Sequence, residues 1–346
     1  MDTIKITTWN VEHLSRLFGE DLPDYKVDRR NAIIAELEAI DPDIFCLVEG
    51  PSKEEAIDEF ARELLGNRWR AVKSTNGKYG IKGSQWMWFL VKDELFEKCS
   101  LLPYETWDAF TAKNWDVHYW GSVQASNHSH YRHPQVLVLD WDGFRVEFIG
   151  CHLKSKYVHQ GASMWNAGGE EREEFIREAL KARAKLTTEA SNVRDYIAAK
   201  FDQVEKPAIF ILGDLNDGPG KEFFEEKYLF FDLMSNIQGD IFEAHQFMNH
   251  ALFDYPDDLR WTVKFSDFVA ETEEEASIVR PILLDHILFT QGLCDGTLPW
   301  EIHGHAGKVE HEIHQLINAS LSSSRQTSDH TPVSVTVTVK SEENPV

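Results

Sequence analysis

The chain is poor in basic residues: 35 lysines and arginines stand against 58 aspartates and glutamates, a formal charge of −23. Such a balance disfavours non-specific attraction to nucleic acid or anionic membrane, although it leaves room for a local basic groove. Cysteine is scarce. Its four copies, Cys46, Cys99, Cys151 and Cys294, show no CxxC spacing, and Cys46 and Cys151 lie inside strand-like apolar runs, where they read as buried thiols. No apolar run approaches the length of a membrane span. The opening MDTIKITTWN has neither a positive n-region nor an apolar h-region. These absences lead to the expectation of a cytoplasmic protein with no membrane partner.

What is present is enough for a core: 346 residues, 42% hydrophobic and 12% aromatic. That length allows one large domain or two ordinary ones. IKITTWN alternates as a strand. Val27, Ile33, Ile34, Leu37 and Ile40 share a helical face, which Asp41-Pro42 ends. DIFCLVE suits a buried strand ending at Glu49. Ser52 and Glu55 have capping-box spacing. QWMWFLVK and VLVLDWDGFRVEFIGCHL read as strands, the second a hairpin about Asp142-Gly143. A helix is expected from about Glu171 to Phe201, then the strand AIFILGDLND, a shorter helix carrying Phe223, Phe224 and Leu229, and the strands WTVKF, ILLDHILFT and TPVSVTVTV. Strands and helices are mixed throughout, hairpins favour antiparallel pairing, and no linker or repeat breaks the chain. One domain spanning 1–346 is the economical expectation, with insertions near 101–130 and 157–174.

Polar residues recur where these apolar runs end or begin. Asn10 ends IKITTWN, Glu49 ends DIFCLVE, His152 ends VEFIGCHL, and Asp214 and Asn216 close IFILGDLND. Asp285 and His286 interrupt ILLDHILF, and Asp329 and His330 precede the last strand. Strand ends space side chains rigidly, so six such positions point to one polar cluster rather than six unrelated turns. Carboxylates and amides without a clustered thiol suit a hard cation, Mg²⁺ or Mn²⁺. Such a set can activate water for in-line attack on phosphorus.

The motifs TTWN, LVEG, YRHP, CHLKSK, ILGDLND, LLDHI and SDHTPV, in this order from Thr8 to Val333, resemble the endonuclease/exonuclease/phosphatase superfamily. The resemblance implies an α/β fold, a four-layer αββα sandwich with two mixed, largely antiparallel sheets. It implies that Asn10, Glu49 and Asp329 are metal-site residues. Asp214 would position or deprotonate the attacking water, with Asn216 as its partner on the phosphate. Asp285 and His330 would form a carboxylate–histidine pair, and His152 would be the second histidine at the scissile phosphate. Whether Asp214 or a histidine is the base stays open. Arg132 in YRHP would hold phosphate or a glutamate. Lys154 and Lys156 flank Ser155; they either meet phosphate or end a solvated strand.

Other features fit less closely. Trp107, Phe110, Trp115, His118, Tyr119, Trp120 and His128 crowd one insertion, either as a small core under a loop or as stacking platforms. ETEEEAS (271–277) reads as a solvated hairpin tip, and beside a phosphate site it would repel a long polyanion. His303 and His305 share a strand face, and His311 and His314 share a helix face. A zinc site there lacks a completing cysteine or carboxylate. The expected function is a metal-dependent phosphodiesterase acting on nucleic acid, a nuclease. The alternative is a phosphomonoesterase for a small or lipid-linked, inositol-phosphate-like substrate.

Overall fold

The computed structural model describes residues 2–111, 114–119, 122–219, 222–228, 232–270 and 272–340. Along the chain the first strands are β1 (Asp2–Asn10), β2 (Ile44–Gly50), β3 (Trp69–Val72), β4 (Trp86–Lys92) and β5 (Cys99–Leu101). A hairpin of β6 (Asn114–Tyr119) and β7 (Ser122–Asn127) precedes β8 (Gln135–Trp141) and β9 (Phe144–His152). Then come β10 (Ala208–Asp214), β11 (Met248–His250), β12 (Val263–Ser266) and β13 (Val279–Ile282). The last are β14 (Asp285–Thr290), β15 (Trp300–Glu301), β16 (Gly307–Val309) and β17 (Val333–Val339). Among the helices that cover the sheets are α1 (Asp24–Ile40), α2 (Gly169–Phe201) and α3 (His311–Asn318).

Two sheets form the centre. One runs β15-β17-β1-β2-β4-β3, with β16 also on β17; the other runs β11-β14-β10-β9-β8-β5. Among the described residues only β1–β2 and β9–β10 pair in parallel within them. Strand alternation explains the layering. On β10, Ala208, Phe210 and Leu212 face the other sheet, where they join Ile4, Ile6 and Phe89 in one core. Ile209 and Ile211 point the other way, onto Leu186, Ala190, Val193 and Ile197 of α2. The outer face of the first sheet is closed by α1 through Ile33 and Leu37, with α3 alongside α1. The result is the expected αββα order.

The Asp142-Gly143 hairpin forms, both turn residues having positive φ. Two local expectations fail. Lys53, not Ser52, caps the helix at Glu54–Glu59, with no side-chain hydrogen bond, and that helix widens into a π turn at Phe60–Leu64. Val27 and Ile34 are only half-buried, and Glu36 occupies the buried α1 face instead. WTVKF forms β12, which pairs with β13 as a hairpin outside the two main sheets, and the acidic segment at its tip is exposed, as read from the sequence, and is a short helix, Glu273–Ser277, capped by Thr272. Of the aromatic insertion, Trp107 is core, stacked on Tyr196 at 4.8 Å. Trp120, the side chains of Trp115, His118 and Tyr119, and Leu229 lie outside the described residues. Among the described residues no helix is long and apolar enough to cross a membrane.

Candidate active site

The strand ends meet at one edge of the sandwich, for a reason the sequence only half displays. β1, β9 and β10 bring Asn10, His152 and Asp214 by their C-terminal ends. β14 runs antiparallel to β10, so its first residue, Asp285, pairs with Asp214. β17 runs antiparallel to β1, so the residues before it, Asp329 and His330, arrive at the same edge. Inward-facing parity then gathers Asn10, His152, Asp214 and Asp285 between the sheets.

Glu49 is an exception to alternation. Cys46 faces the second sheet, so strict alternation would send Glu49 to the opposite face. A register break between Leu47 and Gly50, with Glu49 at φ +61°, turns it back towards His152. Gly213 is fixed by sterics: at φ +136°, a Cβ there would lie 1.9 Å from the Cys151 carbonyl oxygen. Asn216, at φ +55°, occupies the left-handed region that asparagine tolerates.

The hydrogen bonds are specific. Asn10 Nδ2 donates to Asp214 Oδ2 at 3.0 Å, and the Asn216 amide donates to Asp214 Oδ1 at 2.8 Å. His330 Nδ1 and Asp285 Oδ2 are 2.6 Å apart. Asp285 Oδ1 is buried without a partner among the described residues, and the Asp285 and Leu284 amides donate to Thr262 Oγ1. Ser328 ties the His330 loop to β1: its hydroxyl donates to the Asn10 carbonyl and accepts from the His330 amide. Trp9 Nε1 donates to the His330 carbonyl. His152 Nε2 lies 4.0 Å from Glu49 Oε1 and 3.8 Å from Asp214 Oδ2. The Arg132 guanidinium donates to the carbonyls of His152 and Leu153 and to Gln85 Oε1, so it braces the end of β9.

Burial separates the titrating groups. It acts to lower the His330 pKa, but the charge and hydrogen bond of Asp285, with Asp214 behind them, raise it to about 10. His152 is pushed well below the ordinary histidine range by burial, then by Arg132 and His330. Asp214 is raised to about 6 by burial and Asp285, against His330, Asn216 and Asn10. One histidine is therefore held cationic and one neutral, beside a carboxylate whose pKa is lifted towards neutrality.

These side chains open onto a cleft of about 620 Å³ lined by Asn10, Glu49, His152, Asp214, Asn216 and His330, together with Lys82, Arg132, Lys154 and Lys185. Among the described residues none of those four cations forms an ion pair with a carboxylate, although the protein is acidic overall. Asp329 stands apart: its side chain is 64% exposed, 4.0 Å from His330 Nε2, and lines an adjoining cavity. Lys156 does not share the cleft with Lys154, because the strand ends at His152. It turns inward to Asp217, Glu222 and Glu225, at 2.8, 2.6 and 3.2 Å. The zinc alternative does not assemble: His314 binds Glu36, His311 binds the Leu259 carbonyl, and His303 and His305 are exposed. Sequence reasoning missed His13, whose amide and Nδ1 both meet Glu49 Oε2, at 2.9 and 3.1 Å. It also missed Lys82, Gln85, Lys185 and Ser328. Only Ser328 lies within one of the recurring motifs.

No family model and no curated protein matches the sequence. Solved structures match in three dimensions. Truncated Caenorhabditis elegans TDP2 superposes with a TM-score of 0.51 at 15% identity, over 97% of this chain and 97% of its own. D. rerio TDP2 complexed with single strand DNA product superposes with a TM-score of 0.50 at 13% identity, over 98% of this chain and 100% of its own. An endonuclease/exonuclease/phosphatase family protein from Bacteroides thetaiotaomicron aligns at 14% identity over 97% of each chain, with a TM-score of 0.46. The fold of this chain is the one these TDP2 structures share, and it is the αββα sandwich expected from the sequence.

Proposed function

We propose that this chain is a metal-dependent phosphodiesterase of nuclease type, working as a single unit in which both ends of the chain complete the site. The observation that carries this reading is the cleft: four cations that form no ion pair among the described residues line it beside Asp214, His152 and the Asp285–His330 pair, in a protein of net charge −23. Unpaired like charges gathered in a cleft favour an anionic occupant.

The chemistry follows from the groups present. His330, kept protonated by Asp285, presents Nε2–H to a phosphoryl oxygen. Asp214, with its raised pKa, takes a proton from the attacking water near neutral pH. Asn216 holds an oxygen of the phosphate being cleaved, neutral His152 supplies one more hydrogen bond, and Lys154 lines the same cleft as a further contact for substrate phosphate. Arg132 supports the site through the His152 and Leu153 carbonyls, and its charge adds to the attraction.

The donor set fits a hard divalent ion. Glu49 and Asn10 offer oxygens and no thiol lines the cleft, while His13 binds Glu49 Oε2 and leaves Oε1 facing His152. Among the described residues no three His, Cys, Asp or Glu side chains converge as an ion cage. Mg²⁺ and Mn²⁺ keep waters and take ligands from phosphate, so they need few protein ligands. Glu49 and Asn10 would hold it, and Asp329 could add a water-mediated contact from the rim. When bound, the ion supplies positive charge to the phosphoryl oxygens.

The single strand DNA product in the D. rerio TDP2 structure supports a single-stranded substrate. The exposed acidic helix and the net charge favour a second reading, a small phosphomonoester. The two separate on purified protein offered single-stranded DNA, RNA, bis(p-nitrophenyl) phosphate and inositol phosphates, with Mg²⁺ and with EDTA. Strand cleavage that EDTA abolishes supports the first reading; free phosphate alone supports the second. Asp214→Asn should lower kcat by about a hundredfold or more. A near-normal rate means that Asp214 does not handle the attacking water.

A further inference from the structure

Beside the reacting set, the cleft carries His128, Lys154 and Lys185. Beneath them sits Glu189 of α2, only 2% exposed. Its Oε1 is 2.9 Å from His128 Nε2, and its Oε2 accepts the Lys154 amide at 2.7 Å. One buried carboxylate thus fixes both a residue of the aromatic insertion and the backbone that follows β9. Lys185 lies one helical turn before Glu189, on the same face of α2. Burial lowers the Lys154 pKa; Glu189 opposes this, and Lys185 and Arg132 lower it further. The two ammonium groups are therefore close enough to repel. Lys154 Nζ donates to the Ser155 carbonyl, and among the described residues neither lysine has a carboxylate partner.

From this geometry we infer a second anion subsite, formed by His128, Lys154 and Lys185, that takes a phosphate other than the one being cleaved, with Glu189 as its positioning residue. The inference rests on the phosphodiesterase reading and narrows it: the preferred substrate carries at least two phosphates, as a short oligonucleotide does. Each cationic donor to a phosphate contributes a charge-assisted hydrogen bond, one of the stronger contacts available.

The test compares wild type with Lys185→Ala and His128→Gln by kcat/KM. The substrates are bis(p-nitrophenyl) phosphate, with one phosphate; a 5′-phosphorylated dinucleotide, with a terminal second phosphate; and a trinucleotide, with an internal one. Lys185 is only half-buried on a helix and alanine is a good helix former, and circular dichroism checks that both variants fold. Wild type is expected to prefer the two-phosphate substrates, and each variant to lose about tenfold of that preference. Loss with one or both two-phosphate substrates supports the subsite and tells which phosphate it reads. A preference absent from wild type, or unchanged within about twofold in both variants, overturns it. If wild type cleaves nothing, the phosphodiesterase reading falls instead. The subsite then stands or falls on calorimetric titration with inorganic pyrophosphate without metal, where Lys185→Ala must weaken binding by about tenfold.

Discussion

At the scale of single residues, the Asp285–His330 pair, given a part in the proposed reaction, also bears on stability. Folding raises the His330 pKa from 6.5 to about 10. The pair therefore stabilises fully where the unfolded histidine is also protonated, below 6.5, and the contribution is lost as pH rises through about 10. Asp285→Asn should lower the melting temperature most near neutral and mildly acidic pH. The gap from wild type should close by pH values above that folded pKa, which thermal melts across the range would show. A gap independent of pH rules out the charged pair. The same variant should lower kcat by about tenfold to a hundredfold, because the ring of His330 loses its orienting partner. Asp285 and His330 were legible because each interrupts or precedes an apolar run within a recurring motif. His13, Lys185 and Glu189 were not. Each is an ordinary polar residue in its own neighbourhood, and its importance comes only from a partner dozens of residues away.

At the scale of elements, strand parity did much of the placement. Reading alternate positions as one face correctly sends Asn10, His152, Asp214 and Asp285 inward, and the hairpin at Asp142-Gly143 follows from its dipeptide. Parity failed at Glu49, because a register break cannot be seen in seven consecutive buried residues. It does not reach Lys156, because β9 stops four residues earlier and alternation no longer relates Lys154 to Lys156. Gly213 is where an element imposes a residue: its Cβ position coincides with a carbonyl of the neighbouring strand. Gly213→Ala should cost about 2–4 kcal/mol in urea denaturation, from overpacking and backbone strain together, and should displace Asp214. Retention of full stability would mean that β9 and β10 separate more easily than their pairing implies.

At the scale of the whole molecule, two electrostatic effects compete. The net charge of −23 repels any polyanion over long range, while the unpaired cations of the cleft attract it over short range. Salt screens both, and the screening length falls from about 30 Å at 0.01 M to about 8 Å at physiological ionic strength. A dinucleotide senses mainly the cleft, so its KM should rise with salt. A long strand also senses the rest of the surface, so the ratio of its kcat/KM to that of the dinucleotide should rise over the same range. A falling ratio would mean that long strands gain further phosphate contacts outside the cleft. The two-sheet architecture was legible through the ordered motifs and their resemblance. Periodicity alone could not supply it: it identifies strands, but not that β12 and β13 pair only with each other.

The last strand, β17, lies between β15 and β1, and the loop leading into it carries His330. β1 has its antiparallel neighbour on that side only when β17, more than 320 positions later in sequence, closes against it. Truncation before Ser328 would remove the loop that brings His330 to Asp285 and would bare the edge of β1 in the same stroke, so such a fragment should lose its fold and the proposed activity together.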